Sequence, residues 1–85
     1  MTTPAITMYG ADWCSDCRRA KKVLDLSGVA YKYIDLVAQP EQADAAQAIS
    51  GRTNIPVITF PDGSHQVEPS NAELEAKLRE VGAQA

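Results

Sequence analysis

The chain has 85 residues, a net charge of −3 at pH 7 and two cysteines. This length suits one hydrophobic core, so we expect a single domain over residues 1–85. The acidic balance gives no support for nucleic-acid binding through phosphate neutralisation. No apolar run approaches the ~20 residues that cross a bilayer, and the first residues lack the pattern of a signal peptide. We therefore expect a cytoplasmic protein that contacts neither nucleic acid nor membrane.

The first half of the chain predicts a βαβ unit. Its members are a short apolar strand over 6–9, a helix from about 17 to 27 with an inner stripe of Cys17, Ala20, Val23 and Leu24, and a strand rich in aromatic and β-branched residues over 29–36. Gly28 stands where a helix commonly ends in a left-handed residue. Two strands around one helix in about thirty residues imply parallel strands joined by a right-handed crossover.

The second half predicts a helix, a hairpin and a last helix. Pro40 suits the first turn of a helix that runs to about Ser50, is rich in alanine and has Ile49 as its only large apolar residue. Asp62-Gly63 is a strong hairpin signal between strands over 54–60 and 65–67. Ser70 and Glu73 match a capping box that begins a helix ending near residue 81. The fold class is therefore α/β, in the order β-α-β-α-β-β-α, with a four-stranded mixed sheet and three helices.

Both cysteines lie in the segment Cys14-Ser15-Asp16-Cys17, where the first strand gives way to the first helix. A thiol at a helix N-terminus faces backbone N–H groups without intrahelical partners, and the positive end of the helix dipole favours its thiolate. Cys17, one turn further along, can reach Cys14. Reducing compartments do not keep passive disulfides, so the pair predicts redox catalysis. Cys14 would attack a disulfide and Cys17 would resolve the product.

A Cys-X-X-Cys pair beside a βαβ unit is typical of the thioredoxin fold, here in its minimal form. Over almost its whole length the chain resembles the glutaredoxins. Besides the cysteine motif, the resemblance rests on the segment 51–56, Gly-Arg-Thr-Asn-Ile-Pro, and on the Asp62-Gly63 hairpin before the last helix. It implies that Pro56 is cis and faces the cysteines, that the Ile55 backbone pairs with a bound thiol, and that Arg52 contacts a carboxylate or another polar end of that thiol, if it is not a plain surface charge.

Two departures from the glutathione-using pattern bear on the small thiol. Ala11 stands where a lysine is usual, and Glu68-Pro69 replaces a Gly-Gly that lets a γ-glutamyl group approach the backbone. The segment Glu68-Pro69-Ser70-Asn71 is more similar to the mycoredoxins, which resemble glutaredoxins and use mycothiol. The resemblance thus adds Ser70 and Asn71 to the candidate thiol-binding residues. Trp13, next to the nucleophile, is either a packing residue or a wall of the substrate groove.

The resulting hypothesis is a glutaredoxin-like thiol–disulfide oxidoreductase that acts on protein disulfides and small-thiol mixed disulfides. It would work as a monomer with mycothiol or glutathione as cosubstrate and an NADPH-dependent reductase system, without a tightly bound cofactor or metal. Two alternatives stay open. One is an iron–sulfur carrier in which Cys14 is a ligand in a dimer, and the other is an electron donor reduced directly by thioredoxin reductase.

Overall fold

The computed structural model describes residues 6–81. Four strands and three helices follow one another in the predicted order. They are β1 (Ile6–Gly10), α1 (Ser15–Ser27), β2 (Tyr31–Asp35), α2 (Gln42–Ser50), β3 (Val57–Thr59), β4 (His65–Val67) and α3 (Asn71–Glu80). None of the helices in this part of the chain is long and apolar enough to cross a membrane.

The strands form one mixed sheet in the order β2-β1-β3-β4. β1 pairs in parallel with β2, as a βαβ unit requires, and antiparallel with β3, which in turn pairs antiparallel with β4. Met8 on β1 lies between Tyr33 on β2 and Ile58 on β3. The predicted four-stranded mixed sheet is confirmed, and its inner strand β1 leads directly into the loop that carries Cys14.

The core lies between the sheet and helices α1 and α3. All four residues predicted for the inner stripe of α1 are buried. Leu74 and Leu78, one turn apart on α3, are also buried, as is Ile58 on the sheet. Burial of one leucine side chain contributes roughly 1.5–3 kcal/mol, so these contacts hold α1 against α3 and fix the position of the cysteine-bearing helix.

Several element boundaries differ from those predicted by one to three residues; α1, for example, begins at Ser15 rather than at about residue 17. The second strand is shorter because residues 29 and 30 belong to the connection after α1, although Val29 is buried. β3 begins only after Pro56, which has no N–H to give to a strand ladder. α2 begins at Gln42 rather than Pro40, which lies in the preceding turn and accepts a hydrogen bond from the backbone of Ala43. These differences move no element to another place in the fold.

Helix α2 contacts the rest of the fold through a small side chain. Ala46 is 4% exposed, whereas Ile49, the one large apolar residue of this helix, is 37% exposed. An alanine lets the helix backbone come close to its neighbours but buries little apolar area. Gly51 ends the helix with φ 74°, a left-handed conformation that glycine adopts without steric cost.

Candidate active site

Cys14 caps the N-terminus of α1. Its backbone is extended (φ −87°, ψ 117°), and its Sγ accepts a hydrogen bond from the backbone N–H of Cys17 at 3.3 Å. Its own N–H donates to the carbonyl of Ala11 at 3.1 Å, which closes the loop after β1. The sulfur therefore occupies the place of an N-cap oxygen and faces the positive end of the helix dipole, which stabilises a thiolate.

The loop before Cys14 is held by two side chains from other elements. Arg18 Nη1 donates to the Asp12 carbonyl at 2.7 Å, and the Tyr33 hydroxyl donates to Asp12 Oδ1 at 3.3 Å. Burial, together with the neighbouring carboxylate of Asp12, raises the pKa of Tyr33 to about 12, so this hydroxyl stays a donor at neutral pH. Lys21 lies 5.2 Å from the centre of the Tyr33 ring. The position of Cys14 is thus fixed from both α1 and β2.

Cys17 lies behind Cys14 in the core. It is 1% exposed, and both cysteines are free thiols in this structure. Burial, reinforced by a hydrogen bond with Cys14, raises the pKa of Cys17 to about 12. At neutral pH this thiol is protonated, whereas Cys14 is only partly buried and opens to solvent. The two sulfurs therefore have different chemical roles available to them.

Gly10 makes room for Cys17. A Cβ atom at position 10 would lie 3.0 Å from Sγ and 3.2 Å from Cβ of Cys17. Such distances are shorter than ordinary van der Waals contact, so any larger residue would push on the thiol. The last residue of β1 is a glycine where the buried cysteine approaches the strand backbone most closely.

The loop before β3 faces Cys14. The thiol of Cys14 donates to the carbonyl of Ile55 at 3.9 Å, a long contact that a sulfur donor allows. The Ile55–Pro56 peptide bond is cis, as the resemblance predicted, and Pro56 is buried. The structure thus places the Ile55–Pro56 segment beside Cys14, and a role of these two residues in substrate binding remains a prediction.

Trp13 and Arg52 differ in how well the structure places them at the site. Trp13 is 72% exposed directly before Cys14, which excludes a packing role and leaves its indole available to a substrate. Arg52 is exposed in the turn after α2, where its backbone N–H donates to Ser50 Oγ at 3.1 Å. Its guanidinium makes no hydrogen bond to any residue of the range 6–81. The thiol-carboxylate contact predicted for Arg52 thus remains a prediction.

Ser70 and Asn71 lie at the start of α3. Ser70 Oγ accepts from the Glu73 N–H at 3.1 Å and the Ser70 N–H donates to Glu73 Oε1 at 2.8 Å, so the predicted capping box is confirmed. Asn71 Oδ1 accepts from Arg19 Nη1 at 2.9 Å. Both residues already have partners within the fold, and any contact with a thiol would use the hydrogen-bonding groups that remain free on them.

Arg19 is a residue that sequence reasoning did not assign to this network. Besides Asn71, it donates to the carbonyl of Pro69 at 3.3 Å and forms an ion pair with Asp16 at 3.0 Å. One guanidinium thereby joins the first turn of α1 to the start of α3. The contacts of Arg19 with Pro69 and Asn71 span about fifty residues of sequence and leave no local signal.

Glu68 lies in the turn before α3, where Glu68-Pro69 replaces the Gly-Gly of the glutathione-using pattern. Its φ is 50°, in the left-handed region that non-glycine residues adopt at a cost of about 1 kcal/mol. Its N–H donates to the Pro56 carbonyl at 3.0 Å, and its carboxylate accepts from Asn54 Nδ2 at 3.0 Å. The replacement of glycine by Glu68 therefore adds a negative charge to the turn that contacts Pro56 and Asn54.

Comparison with known proteins identifies the family. The family model described as Glutaredoxin matches residues 6–66. A protein of Mycobacterium tuberculosis whose name assigns it to the glutaredoxins is 33% identical over 82 residues, which cover 95% of this chain and 98% of the relative. Mycoredoxin 1 of Corynebacterium glutamicum is 34% identical over 74 residues, with 86% and 91% of the two chains covered.

Solved structures agree on the fold. The crystal structure of a glutaredoxin from Archaeoglobus fulgidus superposes with a TM-score of 0.78 at 24% identity, covering 88% of this chain and 86% of that one. A buckwheat glutaredoxin in complex with glutathione superposes with a TM-score of 0.69, also at 24% identity, covering 95% and 82%. At this identity the two structures establish the predicted thioredoxin-like fold. With the family match, and with two free thiols at the start of α1, the chain belongs to the glutaredoxin family and has its general thiol-redox function.

Proposed function

We propose that this glutaredoxin is a thiol–disulfide oxidoreductase in which Cys14 is the nucleophile, Cys17 the resolving thiol and mycothiol the small-thiol cosubstrate. The observation that carries the division of roles is the contrast between the two sulfurs. Cys14 Sγ is accessible and receives the Cys17 N–H at 3.3 Å, whereas Cys17 is 1% exposed with a raised pKa. Thiolates rather than thiols attack disulfides, so the accessible sulfur at the helix terminus should react first.

The reaction starts with a mixed disulfide between a target protein and a small thiol. The Cys14 thiolate attacks the sulfur of the small thiol, the mixed disulfide breaks, and the target leaves as a thiolate that takes up a proton. Cys14 now carries the small thiol. A second small-thiol thiolate attacks that adduct, forms the symmetrical small-thiol disulfide and returns Cys14 as a thiolate.

A disulfide within a target protein is reduced by a second route, in which Cys17 takes part. Cys14 attacks one target sulfur, and the other target sulfur leaves as a thiolate. Cys17 then gives its proton to solvent and attacks Cys14 Sγ; the second target sulfur leaves as a thiolate that takes up a proton, and a Cys14–Cys17 disulfide remains. Two electrons pass from the protein dithiol to the target. The raised pKa of Cys17 makes its deprotonation a cost of this step, which favours the small-thiol route for targets that offer it.

The choice of mycothiol rests on the turn before α3 and on the relatives. Glu68, whose backbone N–H binds the Pro56 carbonyl, adds a carboxylate near Asn54, and this charge disfavours glutathione, which carries two carboxylates of its own. A thiol of sugar character brings no such charge. The match to Mycoredoxin 1 over 91% of its length points in the same direction. We place the reaction in the cytoplasm, with a monomeric protein and an NADPH-dependent system that keeps the small thiol reduced.

Intact mass spectrometry of the two single-cysteine variants tests this proposal. Cys17→Ser protein mixed with mycothiol disulfide should gain one mycothiol on Cys14, at least tenfold faster than one glutathione from glutathione disulfide. Cys14→Ser should gain neither at neutral pH, because the remaining thiol is buried and protonated. Faster addition of glutathione would overturn the mycothiol assignment alone, whereas an adduct on Cys14→Ser at the rate of Cys17→Ser would overturn the division of roles.

A further inference from the structure

A groove of ≈ 800 Å³ lies between α1 and α3, next to the active site. Among the residues that line it are four basic side chains, one acidic side chain and an exposed leucine: Arg18, Arg19, Lys22, Arg79, Glu75 and Leu26. The whole chain has eight basic and eleven acidic residues. Half of all basic side chains of an acidic protein therefore line one groove, together with a single acid.

The positive charge of this groove is only partly neutralised within the fold. Arg19 pairs with Asp16, but Arg18, Lys22 and Arg79 form no ion pair with any other residue of the range 6–81. Leu26 is 78% exposed and adds apolar surface to the same groove. Unpaired cations around an exposed aliphatic side chain complement a chain segment that carries carboxylates and at least one apolar residue.

The groove begins close to the nucleophile. The Arg18 N–H donates to the Cys14 carbonyl at 3.0 Å, so the groove starts one turn along the same helix. At 1.5 Å per residue, Lys22 lies about 12 Å along α1 from Cys14. An extended peptide covers that distance in about four residues, at roughly 3.3 Å each. A segment bound in the groove would hold a disulfide four residues away directly over Cys14.

We propose that the α1–α3 groove docks an acidic segment of the disulfide-bearing target protein, with its carboxylates about four residues from the cysteine that Cys14 attacks. This inference rests on the thiol–disulfide activity proposed above. Docking would act mainly on the association rate, because complementary charges on exposed surfaces steer encounter and are screened by salt.

Reduction of synthetic disulfide peptides tests the docking groove. The peptides share an internal disulfide loop and carry, four residues away on each side, a block of glutamates, of glutamines or of lysines. Reduced wild-type protein should convert the glutamate peptide to its dithiol about tenfold faster than the glutamine peptide at about 10 mM ionic strength, where the screening length is about 30 Å. The advantage should vanish at about 1 M, where that length is about 3 Å.

Charge-reversal variants locate the effect. Lys22→Glu should lose most of the preference for the glutamate peptide, and Lys22→Glu with Arg79→Glu should prefer the lysine peptide, which also shows that the variant is folded. Lys32→Glu, with the same change of net charge on the exposed face of β2, should behave as wild type. Equal loss in Lys22→Glu and Lys32→Glu would reduce the effect to overall charge and overturn the assignment of the groove.

The remaining outcomes separate the two proposals and the possible occupants. If wild-type protein reduces no peptide faster than Cys14→Ser does, the proposed activity fails. If it reduces all three peptides equally, the activity stands and the docking site is overturned. Tighter binding of an oligonucleotide than of a glutamate peptide of equal charge, or self-association that Lys22→Glu abolishes, would assign the groove to another occupant and likewise overturn the acidic-segment proposal.

Discussion

At the scale of single residues, Cys14 and Cys17 are three positions apart in sequence but differ in burial. Cys14 is the N-cap of α1 and is only partly buried, while Cys17, in the first turn of the helix, is buried in the core. A helix has 3.6 residues per turn, so positions three apart lie on neighbouring parts of one face, and the entry of the chain into α1 decides which of them is covered. The spacing in the sequence predicted that Cys14 and Cys17 would lie close together, and the fold determines which of the two is buried.

Gly10→Ala should destabilise the protein by about 1–3 kcal/mol, because the new Cβ would press on the Cys17 sulfur at 3.0 Å. Urea unfolding of the reduced protein measures this cost. The matched background is Cys17→Ala, in which the sulfur is absent and the same glycine replacement should cost about 1 kcal/mol less. An equal cost in both backgrounds would show that the contact between position 10 and the sulfur is not the cause.

The stability of the reduced protein should decrease above pH 9. The Cys17 thiol ionises near 9 in the unfolded chain, but its pKa is about 12 in the folded protein. Between these values the unfolded state has released the proton and the folded state retains it, so the stabilisation that is complete below pH 9 is lost as the pH rises towards 12. The expected slope approaches about 1.4 kcal/mol per pH unit.

Urea unfolding at pH 8, 9 and 10 checks this dependence. Tyr31 and Tyr33 also have raised pKa values and contribute to the interval from pH 9 to 10, so the difference between the wild type and Cys17→Ala reports on Cys17. Cys17→Ala is the control and should show a flatter profile over that interval. Parallel profiles for the two proteins would mean that burial does not keep this thiol protonated.

At the scale of secondary-structure elements, the ends of helices carry most of the site. The start of α1 presents Cys14, and the loop before β3 places Ile55 beside it. Arg19 on α1 donates to Pro69 and Asn71, which ties the cysteine-bearing helix to the start of α3. The position of Cys14 therefore depends on one helix N-terminus directly and on the start of α3 through Arg19.

Ser70→Ala should cost about 1 kcal/mol of stability, since it leaves the Glu73 N–H without the acceptor that the capping box provides. Ser70→Asp keeps an acceptor at the same place and should retain most of the wild-type stability. Thermal or urea unfolding of the three proteins makes the comparison. Equal losses in Ser70→Ala and Ser70→Asp would contradict a capping role for this side chain.

Local sequence signals predicted the C-terminal ends of α1 and α2 and the start of α3 better than they predicted the strand ends. Gly28, Gly51 and the Ser70–Glu73 box act through the backbone of their own turn, so the residue type alone indicates the boundary. The limits of β2 and β3 depend on partners in the sheet that lie far away in sequence. The left-handed φ of Glu68 also escaped prediction, because glutamate has no local preference for that conformation and the turn is imposed by its neighbours.

At the scale of the whole molecule, the fold brings residues that are distant in sequence into contact. The Arg19 contacts with Pro69 and Asn71 join residues about fifty positions apart, and the Cys14 contact with Ile55 joins residues about forty apart. The family resemblance predicted that Pro56 would be cis, which the structure confirms. Composition gave the net charge but not its distribution: Arg18, Arg19 and Lys22 lie close together on α1, and the packing of α1 against α3 adds Arg79 to the same groove.

The division of roles between the two thiols depends on the partial exposure of Cys14 at the start of α1 and on the burial of Cys17 in the core. The most direct measurement is brief alkylation of the fully reduced wild-type protein with iodoacetamide at pH 7, followed by peptide mapping by mass spectrometry. We expect a label on Cys14 and almost none on Cys17 until urea unfolds the protein. Labelling of Cys17 at the same rate as Cys14, or before it, in the folded protein would show that the core does not protect Cys17.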